Sequence, residues 1–343
     1  MIFSIFNFLD IFFISCIIIF SKFDFARDNK DRNALNLKMH GIVKSSNSRL
    51  GGFIILIFIL FSYIFYYEGD YFLLNNNIFL ASVLFVGLLG FADDAYSGIH
   101  YYLKLFFLIF VNIILFISFN QFLFFKTGLE FFNILLSNNI FAFFVSILII
   151  TGFTNAFNMA DGANGIASGI ASAIFLLFYF ETNEIFFLLI FKIIIIFFIN
   201  NIIFGKMFLG DSGSYFLGFT ISVVSIYLYN QNQISAGILA TFLSYPSLEI
   251  LFTIIRRLFI NTNPLRPDNG HLHNLIYKRI ENKNYLFFSQ NTYTGFVILS
   301  LFLLPGLILY FLIGEVFHFY FWILFVLQVI CYLFIYIKLQ SKI

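Results

Sequence analysis

The chain has 343 residues, of which 61% are hydrophobic, 22% are aromatic and only 10% are charged, and its formal net charge is +2. Soluble domains carry about 25% charged residues, so this composition excludes a soluble globular protein. The small net charge leaves no electrostatic footprint for nucleic acid. The two cysteines, Cys16 and Cys331, lie in apolar stretches and form neither a disulfide framework nor a zinc-binding spacing.

Apolar runs of nearly 20 residues recur along the whole chain and predict an all-α, polytopic transmembrane helical bundle. A transmembrane β-barrel would instead show short alternating segments. The first run has no basic n-region and no small-residue cleavage site, so we expect a retained helix. We predict one integral membrane domain over 1–343 with about eleven spans, at 2–21, 51–67, 72–91, 102–119, 139–154, 164–180, 184–203, 213–229, 234–255, 293–313 and 316–338.

The distribution of Lys and Arg predicts the orientation of the spans. If the spans alternate, seventeen of the 19 basic residues fall on one face, mostly in the two sizeable polar loops 22–50 and 256–292. Lys126 and Lys192 are the exceptions. Because basic residues mark the cytoplasmic side, we expect the N-terminus in the periplasm and the C-terminus in the cytoplasm.

Four polar clusters interrupt the apolar pattern, and this orientation places all of them on the cytoplasmic face. Polar groups at membrane depth are costly and usually functional. The first cluster is Gly90–Asp94, at the inner end of the third span. Adjacent carboxylates, such as Asp93 and Asp94, repel and raise each other's pKa, and a divalent cation or a proton relay would relieve that conflict. A solvated loop pair is the structural alternative.

The second cluster is Asn155–Gly165, which reads NAFNMADGANG. Its amides supply both donors and acceptors, which suit a nucleobase, a sugar or phosphate oxygens. Its glycines permit a close approach of the main chain to a ligand. A helical turn with Asn caps is the alternative without a ligand.

The third cluster, Asn201 with Phe208–Ser214, places a Gly-rich turn at the start of a span. A helix N-terminus is a natural phosphate site, and Asp211 is a candidate ligand for Mg²⁺, which prefers oxygen. The fourth cluster, Pro264–Arg279, combines two histidines with Arg and Lys side chains that suit a diphosphate. Helix capping and positive-inside anchoring are the respective alternatives.

Together, the carboxylates, amides, Gly-rich turns and cations predict phosphoryl transfer between a soluble phosphate compound and a lipid phosphate. In these residues the chain resembles the polyprenyl-phosphate N-acetylhexosamine-1-phosphate transferases, which include the phospho-MurNAc-pentapeptide transferases. The resemblance runs in order from Lys38 to Leu275. The matching segments are Lys38–His40 with Arg49–Gly52, Phe91–Asp94 with Lys104, Asn155–Gly165, Asn201 with Phe208–Ser214, and Asp268–His273.

The resemblance implies transfer of a sugar 1-phosphate from a UDP-sugar, such as UDP-GlcNAc, to undecaprenyl phosphate, with release of UMP. It implies a single catalytic domain in the bacterial inner membrane, an active site on the cytoplasmic face, a role in starting O-antigen or other surface-glycan synthesis, and dependence on Mg²⁺ or Mn²⁺. A homodimer is one assembly that it allows. The residues implied in catalysis are Asp93, Asp94, Asp161, Asp211 and His271, and the metal ligands among them are Asp211, Asp93 and Asp94.

The residues that the resemblance implies in substrate binding are Lys104, Asn155, Asn158, Asn164, Asn201, Phe208, Arg266, Asp268 and His273. Asn201 and Phe208 would face the uracil ring, whereas His271, His273 and Arg266 would contact the diphosphate or sugar. Both direct attack by the lipid phosphate and a covalent Asp intermediate stay open, and we favour direct attack.

The sequence departs from the family pattern at three places. Asn164 replaces a common second aspartate, Asn274 replaces a histidine of some relatives, and Ser45–Asn47 lacks the usual proline. The polar loop that contains Asp268–His273 also lacks a run of three histidines, which argues for an N-acetylhexosamine donor smaller than the MurNAc-pentapeptide. The rival class is an ion-coupled transporter, but transporters place polar residues near the midplane, often in repeated halves.

Overall fold

The structure is a computed structural model that describes residues 2–22, 48–67, 69, 71, 75–96, 98–127, 130–263, 269–281, 285, 287–314 and 317–340. These residues form 15 α-helices, a 3₁₀ turn at Asn120–Phe122 and an isolated β-bridge between Ser48 and Met207. In chain order the helices are α1 (Ile2–Phe20), α2 (Gly51–Tyr66), α3 (Asn77–Tyr96), α4 (Tyr101–Ser118), α5 (Glu130–Leu136), α6 (Asn139–Ala160), α7 (Ile166–Thr182), α8 (Ile185–Phe204), α9 (Gly210–Asn230), α10 (Ala236–Phe242), α11 (Ser244–Phe259), α12 (Leu272–Ile280), α13 (Gln290–Phe302), α14 (Leu304–Ile313) and α15 (His318–Gln340).

The all-helical, membrane-spanning class is confirmed. Within the described residues, seven helices are long and apolar enough to cross a membrane, or eight if the bent pair α10 and α11 is one span. The seven include α13 and α14 taken together over Gln290–Ile313. Three predicted spans correspond to shorter apolar helices, at Leu9–Phe20, Gly51–Phe65 and Ile166–Thr182. The count of eleven and the orientation stay predictions.

Two predicted spans contain breaks that the hydropathy pattern does not reveal. The span predicted over 234–255 consists of α10 and α11, which meet at 73°. The span predicted over 293–313 consists of α13 and α14, which separate at Leu303. Pro246 and Pro305 each lie in the first turn of the helix after the break. Proline is tolerated there because no intrahelical partner exists for its missing N–H.

Helix α9 lies at the centre of the bundle, and 94% of its apolar window is buried. It packs against α2, α3 and α6 through small residues. A Cβ added to Gly90 of α3 would lie 2.3 Å from the Asp211 carbonyl oxygen, and one added to Gly52 of α2 would lie 2.1 Å from the Gly213 Cα. These glycines bring the start of α9 into backbone contact with its neighbours, as small residues do between membrane helices.

The two lysines outside the basic face have partners within the described residues. Lys126 Nζ donates to the Asn230 carbonyl at 3.3 Å and also to the Asn232 side chain. Lys192 Nζ, on α8, lies 2.5 Å from Asp10 Oδ2 on α1. Lys192 therefore has a local countercharge, and Lys126 is hydrogen-bonded to neutral oxygens.

Candidate active site

The carboxylate pair of the first cluster lies on the last turn of α3. The helix extends to Tyr96, past the predicted end of the span at residue 91. Asp93 and Asp94 are therefore held by a helix and are buried, with only 7% and 8% of their surfaces exposed. The solvated-loop alternative is therefore wrong, whereas the location at the inner end of the span stays a prediction.

Lys104 joins two of the motifs. Its Nζ donates to Asp93 Oδ2 at 2.7 Å and to Asp211 Oδ2 at 3.4 Å. Asp93 Oδ1 also accepts the Ile99 N–H, which closes the turn between α3 and α4. The ammonium group lies 5.5 Å from the centre of the Tyr215 ring, within the range of a cation–π contact. One cation thus holds carboxylates from α3 and α9 together against their mutual repulsion.

Asp94 caps the start of α9. Its Oδ2 accepts the Ser212 N–H at 2.9 Å, a favourable arrangement of a carboxylate at a helix N-terminus. Gly210 has a φ of +74°, and a Cβ there would lie 2.7 Å from Asp94 Oδ2. The other oxygen, Oδ1, is buried, accepts no hydrogen bond within the described residues and lies 3.8 Å from Arg49 Nη1.

The amides of the second cluster reach the same place from α6. Asn158 Nδ2 donates to Ser214 Oγ at 2.8 Å, and Ser214 Oγ donates to the Gly210 carbonyl at 3.0 Å. Asn155 Oδ1 accepts from the Tyr215 hydroxyl at 3.3 Å. The end of α6 and the start of α9 are therefore tied by polar contacts, and both asparagines lie beside the carboxylates.

Asp161 immediately follows α6 and is half-buried. Its carboxylate accepts no hydrogen bond from any residue that the structure describes. Burial and the nearby carboxylates of Asp211 and Asp94 raise the pKa of Asp161 well above its usual value, and Arg49 partly opposes that shift. A carboxylate in this state suits a ligand that brings positive charge or a proton.

The charges of the site are unbalanced as they stand. The four carboxylates (Asp93, Asp94, Asp161 and Asp211) face the two cations Lys104 and Arg49. With all six groups ionised, the excess is two negative charges. A divalent cation would neutralise that excess and would also attract substrate phosphates.

The histidines of the fourth cluster form a neighbouring site at the start of α12. Their rings are nearly parallel, with an interplanar angle of 8° and a centre-to-centre distance of 5.4 Å. His271 Nδ1 lies 3.0 Å from Glu249 Oε1, and His273 Nδ1 lies 2.9 Å from the Tyr245 hydroxyl oxygen. A Cβ on Gly162 would lie 1.9 Å from His273 Nε2, so His273 borders the second cluster directly.

Asn164 and Asn201 are instead engaged within the protein. Asn201 accepts the Gly165 N–H at 2.7 Å and donates to the Met207 carbonyl at 2.7 Å. Asn164 Nδ2 donates to Thr292 Oγ1 at 3.1 Å, and its Oδ1 accepts from Asn291 at 3.3 Å. Phe208 is half-buried, and its backbone pairs with Ser48 and Gly51. In this structure Asn164 and Asn201 brace the loops that carry the site.

Several predicted residues lie outside the described residues. These are Arg266, Asp268, Lys38–His40 and Ser45–Asn47. Conversely, the structure reveals functional candidates that the motifs did not identify, namely Tyr215 beside Lys104, and Glu249 and Tyr245 beside the histidines. Arg49 belongs to a matching segment to which the sequence assigned no role, and the structure places it beside Asp94. Glu249 carried a signal, because it is a lone carboxylate inside an apolar stretch.

Comparison with known proteins supports the resemblance of the motifs. Residues 76–229 match the family model described as Glycosyl transferase family 4. The chain is 36% identical over 129 residues to the undecaprenyl-phosphate alpha-N-acetylglucosaminyl 1-phosphate transferase of Thermotoga maritima, with 38% of this chain and 41% of the relative covered. It is 33% identical over 142 residues to a probable undecaprenyl-phosphate N-acetylglucosaminyl 1-phosphate transferase of Bacillus subtilis, with 38% and 39% covered.

A relative of another branch covers more of the chain. The phospho-N-acetylmuramoyl-pentapeptide-transferase of Lactobacillus johnsonii is 28% identical over 210 residues, which cover 54% of this chain and 63% of the relative. The first relatives named are matched over about two fifths of their own length. The resemblance to the polyprenyl-phosphate N-acetylhexosamine-1-phosphate transferases is confirmed, and the matched segment 76–229 contains the first three polar clusters.

Proposed function

We propose that this chain transfers an N-acetylhexosamine 1-phosphate from a UDP-sugar to undecaprenyl phosphate and releases UMP. The observation that carries this proposal is that Asp93, Asp94, Lys104 and Asp211 lie together in one site. They come from three helices and from separate sequence motifs. Two of the relatives named above carry N-acetylglucosaminyl 1-phosphate transferase names, which supports this donor class and makes UDP-GlcNAc the first donor to test.

In the proposed reaction, an oxygen of the lipid phosphate attacks the phosphorus that carries the sugar. A new P–O bond forms, the bond to the bridging oxygen of the diphosphate breaks, and UMP leaves with that oxygen. The lipid phosphate is itself a nucleophile, so the chemistry requires positioning and charge stabilisation rather than a covalent protein intermediate.

The donor set of the site suits Mg²⁺, with Mn²⁺ as a second choice. Among the described residues, no group of three His, Cys, Asp or Glu side chains forms a ready-made metal site. Mg²⁺ is commonly held by one or two carboxylates, with waters and substrate phosphates as further ligands. Asp211, Asp93 and Asp94 would hold it, and the Asp94 oxygen that accepts no hydrogen bond is a natural ligand. A bound Mg²⁺ would neutralise the phosphates' negative charge.

The protein's own side chains would supply positive charge and hydrogen-bonding groups to the substrates. Lys104 and Arg49 provide fixed positive charge beside the carboxylates, where negative charge shifts during phosphoryl transfer. Asn158 and Asn155 present amides from α6 at the same edge. Asp161 lies near Asp211 and Asp94, where it would contact the substrate phosphates or their metal ion.

We place the reaction at the cytoplasmic face of the bacterial plasma membrane, as the first step of O-antigen or another surface glycan. This placement follows from the basic loops and from the solubility of UDP-sugars. A homodimer is an additional prediction, which light scattering of the purified protein would test.

The proposed activity is tested with purified protein, undecaprenyl phosphate, Mg²⁺ and a panel of UDP-N-acetylhexosamines. We expect UMP release with one donor, no release without the lipid phosphate, and loss of release in EDTA. If no donor of the panel yields UMP, the proposed reaction is wrong. The panel also identifies the sugar, because the donors differ by only one or two hydroxyl groups or their configuration.

A further inference from the structure

Helix α11 carries a row of polar residues that the proposed reaction does not use. Tyr245, Glu249 and Thr253 are spaced four residues apart, which places them on one face of the helix. They are almost completely buried, with 1%, 0% and 1% of their surfaces exposed. A buried carboxylate is costly unless it is paired and hydrogen-bonded, so this row requires partners.

The partners of the row are the two-histidine segment at the start of α12. Glu249 Oε1 accepts the Leu272 N–H at 3.2 Å and lies 3.0 Å from His271 Nδ1. An ionised carboxylate only accepts hydrogen bonds, so Nδ1 of His271 carries the proton in this contact. Thr253 Oγ1 lies 3.5 Å from the same nitrogen. Glu249 thereby fixes both the backbone and one ring of the segment.

The second ring is fixed from two sides. The Tyr245 hydroxyl holds His273 Nδ1 at 2.9 Å. On the other side, the ring packs against Gly162 so closely that a Cβ there would lie 1.9 Å from His273 Nε2. Because Gly162 directly follows Asp161, the orientation of the His273 ring determines the contact between the histidine segment and the loop that carries Asp161.

We propose that Glu249, assisted by Tyr245, is a positioning residue that orients His271 and His273 toward the diphosphate of the sugar nucleotide. This inference rests on the proposed function. Hydrogen bonds from side chains one layer away commonly fix the orientation and tautomer of a functional histidine. The face of α11 therefore acts on the donor through the histidines and not by contact.

The test compares Glu249→Gln, which keeps the shape and removes the charge, with Glu184→Gln at the other end of the bundle. We expect Glu249→Gln to raise the donor KM and the Kd for UDP with Mg²⁺ about tenfold, with the acceptor KM unchanged. A tenfold change corresponds to about 1.4 kcal/mol, within the range of one charge-assisted hydrogen bond. Glu184→Gln should change neither constant.

A double-mutant cycle separates positioning from support of the fold. In a His271→Asn background, Glu249→Gln should cause no further change in donor KM beyond about twofold. A purely structural role for Glu249 would reduce the fraction of active protein, so kcat would fall while the donor KM stayed constant. The fall in kcat would also persist in the His271→Asn background. Either of these results would overturn the proposal.

Tyr245→Phe keeps the test decisive if Glu249→Gln does not fold. It removes one hydroxyl group, and we expect a threefold to fivefold weaker affinity for UDP that disappears in a His273→Asn background. Unchanged UDP affinity in Tyr245→Phe would contradict the proposal. Because UDP binding is measured without turnover, a protein that binds UDP but releases no UMP refutes the proposed reaction and leaves this test informative.

Discussion

At the scale of single residues, Lys104 has the largest electrostatic task. It compensates Asp93 and Asp211 simultaneously, and both carboxylates belong to sequence motifs of the site. Without this cation, at least one carboxylate would bind a proton or move away, because a buried, unpaired charge is strongly disfavoured.

We therefore expect Lys104→Met to lower UMP release at least 100-fold, in the range of a lost electrostatic contribution at an active site. Lys206→Met is the matched control, since Lys206 is an exposed lysine close to the third motif, and its activity should remain within twofold of the wild type. Initial rates at saturating Mg²⁺ provide the measurement. Near-normal activity of Lys104→Met would remove this lysine from the site.

The burial of His273 predicts a pH dependence of stability. Burial lowers the pKa of His273 to about 4, with Glu249 opposing and His271 adding to the shift. An unfolded histidine has a pKa near 6.5, so between pH about 6.5 and 4 the unfolded chain binds the extra proton. Stability is therefore complete above pH about 6.5 and falls as the pH decreases through this window, by up to about 3 kcal/mol.

Thermal unfolding in detergent between pH 8 and pH 4 checks this sign. The wild type should lose more stability across the window than His273→Asn, which cannot take up the proton. Equal slopes for the two proteins would show that His273 is not buried in its neutral form.

At the scale of helices, the site depends on how closely α3 approaches α9. Gly90 contacts the Asp211 backbone so closely that a methyl group cannot be accommodated without a shift. The two helices carry Asp93, Asp94 and Asp211, so a change in their separation changes the carboxylate geometry directly.

We expect Gly90→Ala to lower both the melting temperature and the activity, with activity reduced at least tenfold because a displacement of about 1 Å can cost that much. Gly152→Ala is the control, since Gly152 lies in α6 with open space around its Cβ position. It should be neutral or slightly stabilising, because alanine favours a helix over glycine. Wild-type behaviour of Gly90→Ala would mean that the approach of α3 and α9 is looser than described.

Motif order and apolar length predicted most helices and the convergence of Asp93, Asp94 and Asp211. The sequence did not predict that Asn164 and Asn201 turn their amides toward protein partners, because partners such as Thr292 and Gly165 are distant in the chain and meet them only through packing. The break at Leu243 was also missed, since an apolar stretch has the same hydropathy whether it is straight or bent.

Glu249 shows a different limit of sequence reasoning. A single carboxylate in the predicted span 234–255 was visible as an anomaly, but its chemical meaning required His271, which lies 22 positions later. The arrangement of α11 and α12 supplies that proximity. Periodicity within one segment cannot supply it.

At the scale of the whole molecule, the predicted orientation is testable with only two natural cysteines to remove, Cys16 and Cys331. In a cysteine-free background, Glu184→Cys should react in intact cells with a membrane-impermeant thiol reagent. Lys206→Cys should react only after the cells are opened, because the distribution of Lys and Arg predicts that the basic face is cytoplasmic. The reverse labelling pattern would contradict the orientation and would place the site outside the cell.

The contact between α1 and α8 has a consequence for synthesis of the chain. Asp10 lies near the middle of α1, and its partner Lys192 is encoded roughly 180 residues later. At about 5–20 residues per second, the first helix waits roughly 10–40 s for its neutralising partner. A central aspartate disfavours insertion of an isolated helix by about 2.5–3.5 kcal/mol, so the N-terminal helix should join the bundle late.

This order of assembly predicts how substitutions affect yield. Lys192→Leu should reduce the amount of folded protein in the membrane, since it leaves Asp10 without its countercharge. Adding Asp10→Leu should restore the yield, because both positions are then apolar. Fluorescence-detected size-exclusion chromatography of the wild type, Lys192→Leu and the double variant measures the effect, and an equal yield for all three would refute a dependence of assembly on this pair. If the yield follows this pair, the later part of the chain stabilises the membrane insertion of the first helix.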